Sequence, residues 1–212
     1  MSTEASILSS TLYFSKKGSL RSKIRRELKN MDLIQRSKED DAIQSIVLVA
    51  PWFKSSKSLF AYVSCATLQE VDTSRILSEC LCSPAKVGYT EVRKKLYVLH
   101  LEDRKCNMRM LKISSINDLV ASSMNILEPA PVDCDGNERE DVGKGYYIKG
   151  LLGCSSAGLA FDRSGRRLGH IGGYYDVFLK NTKSSPRSGN GSNPFLLHCH
   201  ILYSPAALER YN

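Results

Sequence analysis

Two kinds of apolar pattern take turns along this chain, and their alternation restricts its fold more than any other feature. From Lys17 to Lys29, Leu20, Ile24 and Leu28 recur at every fourth position, the spacing of one helical stripe, with basic residues around it. A second helix is predicted to start at Asp32, whose carboxylate can accept from free N–H groups. It runs through Ile43, Ile46 and Val47 until Pro51 stops it. Ser58-Leu-Phe-Ala-Tyr-Val63 then reads as a buried strand. Asp72 or Thr73 caps the next helix, with Ile76, Leu77, Cys80 and Leu81 inward and Pro84 at its close. Strands are predicted at Lys95-Leu-Tyr-Val-Leu99 and Met108-Arg-Met-Leu-Lys-Ile113, and Ser115-Ile-Asn-Asp118 has the form of a capped helix start. Strands alternating with helices need crossover connections, which lay parallel strands in a sheet covered on both faces. The expectation is an α/β fold in three layers, a mostly parallel sheet flanked by helices. Ligands of such sheets bind beyond the carboxyl ends of the strands.

A chain of 212 residues with 42% hydrophobic and 25% charged residues suffices for one sizeable core. The predicted organisation is a flexible N-terminal segment over residues 1–15 and a single domain over 16–212. Within that domain, the polar, glycine-rich stretch 182–194 is expected to be a flexible loop, and Phe195 to Tyr203 one more strand. No stretch approaches the roughly 18 uninterrupted apolar residues of a membrane helix, so no membrane partner is expected. The formal charge of +8 favours anionic partners. Its strongest basic cluster, Lys16 to Lys29, lacks the interleaved aromatic residues on which bases stack, so nucleic acid is not the expected partner. Seven scattered cysteines without a Cys-x-x-Cys pair point to a reducing compartment rather than to a disulfide scaffold or a zinc site. His198-Cys199-His200 offers two histidines on one strand face and no third ligand.

The densest chemistry lies between Gly158 and Leu179, which joins an apolar run, adjacent arginines, glycines, paired tyrosines and a carboxylate. Gly169, Gly172 and Gly173 lack a Cβ, so the backbone there can approach a ligand and turn N–H groups toward phosphate oxygens. Arg166 and Arg167 supply permanent positive charge, and Asp176 is a hard oxygen ligand of the kind that holds the Mg²⁺ accompanying ATP.

Phe-Asp-x-x-Gly-x-Arg-Leu-Gly at residues 161–169, followed by Gly-Tyr-Tyr-Asp at 173–176, resembles the signature of the 5-formyltetrahydrofolate cyclo-ligases, most closely the plant members. The likeness extends from about Lys17 to Glu140 and again from Gly158 to about Pro205. It implies a CoA-transferase-like α/β architecture and an ATP-dependent closure of 5-formyltetrahydrofolate to 5,10-methenyltetrahydrofolate, in a mitochondrial or cytoplasmic monomer. Lys17-x-x-x-Arg21 is similar to the basic pair that meets ATP phosphates in the family, and its spacing puts both side chains on one helix face. With them the resemblance assigns Arg167, Leu168, Gly169, His170, Ile171, Gly172, Gly173, Tyr174 and Tyr175 to ATP. Glu70-Val-Asp-Thr73 matches the family's folate-contacting glutamate, and a carboxylate suits the amino and ring N–H groups of a pterin. Val63 and Tyr174 join Glu70 as expected substrate contacts, and Asp176 is the expected Mg²⁺ ligand.

The chain departs from the family pattern in three places. His170-Ile171 replaces Arg-Gly, exchanging a permanent cation for an imidazole and a flexible residue for a β-branched one. Residues 143–157 replace an acidic-hydrophobic strand ending in Pro-Gly, and the acidic C-terminal tail of the family does not follow Asn212. The alternative expectation is therefore a catalytically weakened or noncatalytic folate-binding relative.

Overall fold

Asp32 acts as its position predicts: it accepts from the Gln35 N–H at 3.0 Å and starts a helix that ends just before Pro51. The computed structural model describes residues 3–82, 84–87, 90–103, 107–122, 126–142, 152–155, 158–162, 167–170, 172–184 and 197–200. Its helices are α1 (Thr3–Lys29), α2 (Leu33–Val49), α3 (Pro51–Ser55), α4 (Ser74–Cys82) and α5 (Tyr174–Ser184). The strands are β1 (Ser58–Ala61), β2 (Pro84–Val87), β3 (Thr90–Arg93), β4 (Lys95–Leu101), β5 (Met108–Ile113), β6 (Leu119–Ala121), β7 (Leu127–Pro129), β8 (Leu152–Ser155), β9 (Ala160–Phe161), β10 (Arg167–Leu168) and β11 (Leu197–His200). Helical backbone thus begins within residues 1–15, and the segment 182–194 opens with the last turn of α5; its remainder lies outside the described residues.

The central sheet has the order β11-β8-β1-β4-β5. Counted over all the described strands, the expectation of mostly parallel pairing is overturned, although three of the four ladders of the central sheet are parallel. Parallel ladders join β1 to β4, β1 to β8 and β8 to β11. Antiparallel ladders join β4 to β5, β2 to β3, β6 to β7 and β9 to β10, and both isolated bridges are antiparallel. Among the described residues antiparallel pairing therefore predominates, and the longest ladder, β4 with β5, is one of its members. The cause is connection length. Only residues 102–107 separate β4 from β5, whereas a parallel crossover needs about a dozen residues or more. Ser115 caps as expected, but its capping box closes a single 3-10 turn at Ile116–Asp118 that runs straight into β6.

Strand alternation divides the core between two faces. Leu59, Ala61, Leu96 and Val98 point to one side, where Ile43 and Val47 of α2 and Ile76, Leu77 and Cys80 of α4 cover them. Phe60, Tyr97 and Met110 point to the other, where Phe178 of α5 packs. The Phe60 ring meets Tyr97 edge-on at 5.5 Å and Phe178 at 6.1 Å. Helices thus flank the sheet as expected. Each fully buried leucine here contributes about 1.5–3 kcal/mol of transfer free energy. Two apolar assignments differ: Ile46 is 60% exposed and Leu20 is 40% exposed, so the buried stripe on each helix is narrower than the sequence implied.

Because β1 and β4 run parallel, their carboxyl ends open at the same edge of the sheet. The chain leaving β1, the end of β4 and the start of α5 meet there.

Candidate functional site

At this edge lies a cavity of about 370 Å³. Its walls come from Arg25 of α1, from Cys65, Thr67, Leu68 and Glu70 after β1, and from Leu99 and Leu101 at the end of β4. Ile126, Arg167, Gly169, His170, Gly173, Tyr174 and Tyr175 complete them. Apolar side chains and a few charged groups thus converge in one concave space, the usual make-up of a small-molecule site.

The backbone around Glu70 is fixed from α2. Gln69 holds a left-handed conformation at φ 58°, and the Arg36 guanidinium donates to its side-chain oxygen and, at 2.9 Å, to the Glu70 carbonyl. The Glu70 carboxylate accepts from the Cys65 N–H at 2.9 Å. Burial lifts the Glu70 carboxyl above its ordinary range, and that N–H offsets part of the rise.

Opposite Glu70, the loop after β10 is anchored from both sides. The Arg21 Nε donates to the Gly169 carbonyl at 3.0 Å, tying α1 to the loop across 148 residues of sequence. The Arg167 guanidinium lies 5.4 Å from the centre of the Tyr175 ring and forms an ion pair with Asp176. The turn then depends on its glycines. Gly172 and Gly173 have φ values of +112° and +69°, where a side chain is strained, and Gly173 accepts the first backbone bond of α5 from Val177. That bond orients Tyr174, whose hydroxyl donates to the Asp103 carbonyl at 3.1 Å.

His170 Nε2 stands 3.6 Å from Glu70 Oε1, beyond hydrogen-bond reach, and among the described residues neither ring nitrogen has a hydrogen-bond partner. Burial, followed by Arg25, Arg167 and Arg21, pushes the imidazole below its ordinary range, so it is neutral at physiological pH.

Of the residues expected from sequence, Glu70, Arg167, Gly169, His170, Gly173, Tyr174 and Tyr175 line this cavity. Arg21 stands behind it on the loop backbone. Lys17, one helical turn earlier on α1, is half-buried and outside the lining. Leu168 contributes backbone, its carbonyl accepting from the Leu159 N–H at 2.8 Å. Gly172 shapes the turn from an exposed position, and Asp176 lies on the rim with its side chain 69% exposed. Val63 packs against the core cluster rather than facing the cavity. Ile171 and Arg166 lie outside the described residues, as do most of residues 143–157. Arg25 and Cys65 were not anticipated. Arg25 continues the four-residue series Lys17, Arg21, Arg25, a signal present in the sequence, and Cys65 simply follows the carboxyl end of β1.

Comparison with known proteins supplies context for this geometry. The model of the 5-formyltetrahydrofolate cyclo-ligase family matches residues 14–190. A mitochondrial 5-formyltetrahydrofolate cyclo-ligase of Arabidopsis thaliana is 52% identical over 196 residues, covering 92% of this chain and 68% of its own length. The Mus musculus 5-formyltetrahydrofolate cyclo-ligase is 25% identical over 169 residues, covering 78% of this chain and 74% of its own. The solved structure of Aquifex aeolicus 5,10-methenyltetrahydrofolate synthetase superposes with a TM-score of 0.55 at 25% identity, over 77% of this chain and 72% of that one.

Proposed function

Since the chain belongs to the 5-formyltetrahydrofolate cyclo-ligase family, we infer that it is a ligase converting 5-formyltetrahydrofolate to 5,10-methenyltetrahydrofolate with consumption of ATP. The observation that carries this reading is the meeting of the basic loop with Glu70. Groups from α1, the segment after β1 and the start of α5 share one cavity, although Arg25 and Glu70 are 45 residues apart in sequence and Glu70 and Tyr174 are 104 apart.

The assignment of roles follows from charge and position. Arg167 in the cavity wall would hold the triphosphate, with Arg21 steadying the loop behind it and Lys17 adding charge at the outer end, and the backbone at Gly169, Gly172 and Gly173 would follow its oxygens. Glu70 would accept from the pterin N–H groups, and the Tyr174 ring would flank them. The γ-phosphoryl group passes to the formyl oxygen and ADP leaves. N10 then attacks the activated carbon, and the C–O bond breaks to release phosphate. No covalent nucleophile of the protein is needed; positioning and charge stabilisation suffice. Arg21 acts here mainly through the loop it clamps, and Leu99 and Leu101 keep water from the reacting face.

A Mg²⁺ ion would neutralise charge on the transferring phosphates. Among the described residues no three His, Cys, Asp or Glu side chains converge, which excludes an all-protein cage there. A single exposed carboxylate, Asp176, fits the mode in which Mg²⁺ keeps its waters and arrives on the nucleotide. Residues 16–212 are proposed to act as one domain, in a monomer of the mitochondrion or cytoplasm. No described helix is long and apolar enough to cross a membrane.

The test is the rise in near-ultraviolet absorbance of methenyltetrahydrofolate when 5-formyltetrahydrofolate and Mg-ATP are mixed with the protein. Folate binding by calorimetry with no product formed would replace the ligase with a noncatalytic folate-binding relative.

A further inference from the structure

His170 is the polar group in the cavity wall that the folded chain leaves least satisfied. Both ring nitrogens are buried and lack a hydrogen-bond partner among the described residues, and the ring lines the cavity. A buried polar atom without a partner is costly unless a ligand completes it. The groups facing it come from every element around the cavity. Arg21 and Arg25 approach from α1 and Arg167 from β10. Glu70 stands 3.6 Å away, and Cys65, Tyr174 and Tyr175 line the same cavity. Asp176, the nearest other carboxylate on α5, is engaged with Arg167.

Burial, and after it the guanidinium groups of Arg25, Arg167 and Arg21, pushes the imidazole toward its neutral form. An entering polyphosphate opposes that field, because it sets negative charge and acceptor oxygens among the arginines nearest the ring. We propose that His170 is a proton-coupled ligand of the nucleotide: it takes up one proton from solvent as the polyphosphate enters and then donates a hydrogen bond to a phosphate oxygen. This rests on the nucleotide reading of the loop given above and adds a property that a permanent cation there would lack. An arginine at position 170 would be charged before and after binding, beside three others. Histidine makes the fourth positive charge conditional on occupancy.

The consequence is a pH-dependent affinity with a defined sign. Uptake of a proton on binding means that nucleotide affinity falls as pH rises through the value the imidazole has in the complex. The slope is at most about tenfold per pH unit for a single proton.

The experiment is isothermal titration of the full chain with Mg-ADP at pH 7, in two buffers of different ionisation enthalpy. The wild type should take up a measurable fraction of a proton per nucleotide, at most about one for a single histidine. His170→Gln and His170→Arg should both lose that uptake, and His170→Arg should bind with an affinity flat in pH. Glu70→Gln should retain the uptake, which separates His170 from the neighbouring carboxylate. Proton changes of the nucleotide itself are common to all four proteins and cancel in the comparison. Equal uptake in wild type and His170→Gln, or loss of it in Glu70→Gln alone, would overturn the assignment. Mg-ADP binding by the wild type with no proton uptake would overturn the coupling and leave the nucleotide site standing, whereas no Mg-ADP binding at all would remove both.

Discussion

Gly172→Ala tests whether the turn into α5 is set by backbone conformation. At φ +112° an alanine leaves the regions open to L-residues, a strain on the order of 1–3 kcal/mol. The added Cβ would also lie 2.7 Å from Cε2 and 3.0 Å from Cδ2 of Tyr174, so the ring must move. Moving it breaks the 3.1 Å bond from its hydroxyl to the Asp103 carbonyl, worth about 0.5–1.5 kcal/mol. Together these give a loss of roughly 2–4 kcal/mol. For a chain of this size that lowers Tm by about 4–16 °C. Since Tyr174 lines the cavity, kcat/KM should fall with it, largely through KM for folate. The control is Gly18→Ala, in the exposed middle of α1 with no atom within 4 Å of the new Cβ, which should stabilise by roughly 0.5–1 kcal/mol. Thermal melts by circular dichroism and initial rates measure both. A Gly172→Ala protein with wild-type Tm and kcat/KM would refute the claim that positive φ and the closeness of Tyr174 set the turn.

Glu70→Gln should separate stability from binding. Burial raises the folded pKa above the ordinary 4.5, so the stability this group contributes is present below that value and lost as pH rises through the folded one. At pH 7 the neutral variant, still able to accept from Cys65, should melt at or above the wild-type temperature, the difference narrowing in acid. Its folate affinity should fall about 10- to 100-fold, as for loss of a charged hydrogen bond. Arg21→Met removes the donor to the Gly169 carbonyl and should raise KM for ATP by about tenfold or more, with a smaller change in KM for folate in steady-state kinetics. Asp176→Asn should raise the Mg²⁺ concentration needed for half-maximal rate while shifting stability by no more than about 1 kcal/mol, because its pair with Arg167 is exposed on the carboxylate side. Chelation of Mg²⁺ should abolish turnover in the wild type, and added Mg²⁺ should restore it.

The parts of this fold that local chemistry decides were legible. Asp32 and Pro51 bound α2, and the stripe at Ile76, Leu77 and Cys80 faces the core. Strand direction was not, because an apolar run such as Leu96 to Val98 looks the same whichever way its neighbour runs. Only the length of the connections carries that information, and the six residues before β5 already excluded a crossover. Val63 shows the same lesson at single-residue scale. β1 ends at Ala61, and beyond it both Tyr62 and Val63 pack against the α2–α4 core cluster, so the path of the chain after the strand, and not strand alternation, places Val63. In the site, what could be read were clusters close in sequence, namely residues 167–176 and the four-residue series on α1.

What spacing could not express is the approach of His170 to Glu70, because it depends on the sheet order and not on either segment. That approach changes the meaning of the departure at position 170. Read along the chain, histidine in place of arginine is a lost positive charge and a weakened phosphate cradle. In the folded protein Arg25 occupies the same cavity wall, so a third guanidinium is present from a helix about 145 residues earlier. A further permanent cation beside Arg21, Arg25 and Arg167 would repel them while the cavity is empty, and a neutral ring does not. The substitution therefore trades charge that is always present for charge that appears with the ligand. On this argument the double change His170→Arg with Ile171→Gly should tighten nucleotide binding at alkaline pH, where the imidazole stays neutral, and change it little near pH 6. Equal tightening at both pH values, measured by calorimetry, would return the departure to a simple loss of charge.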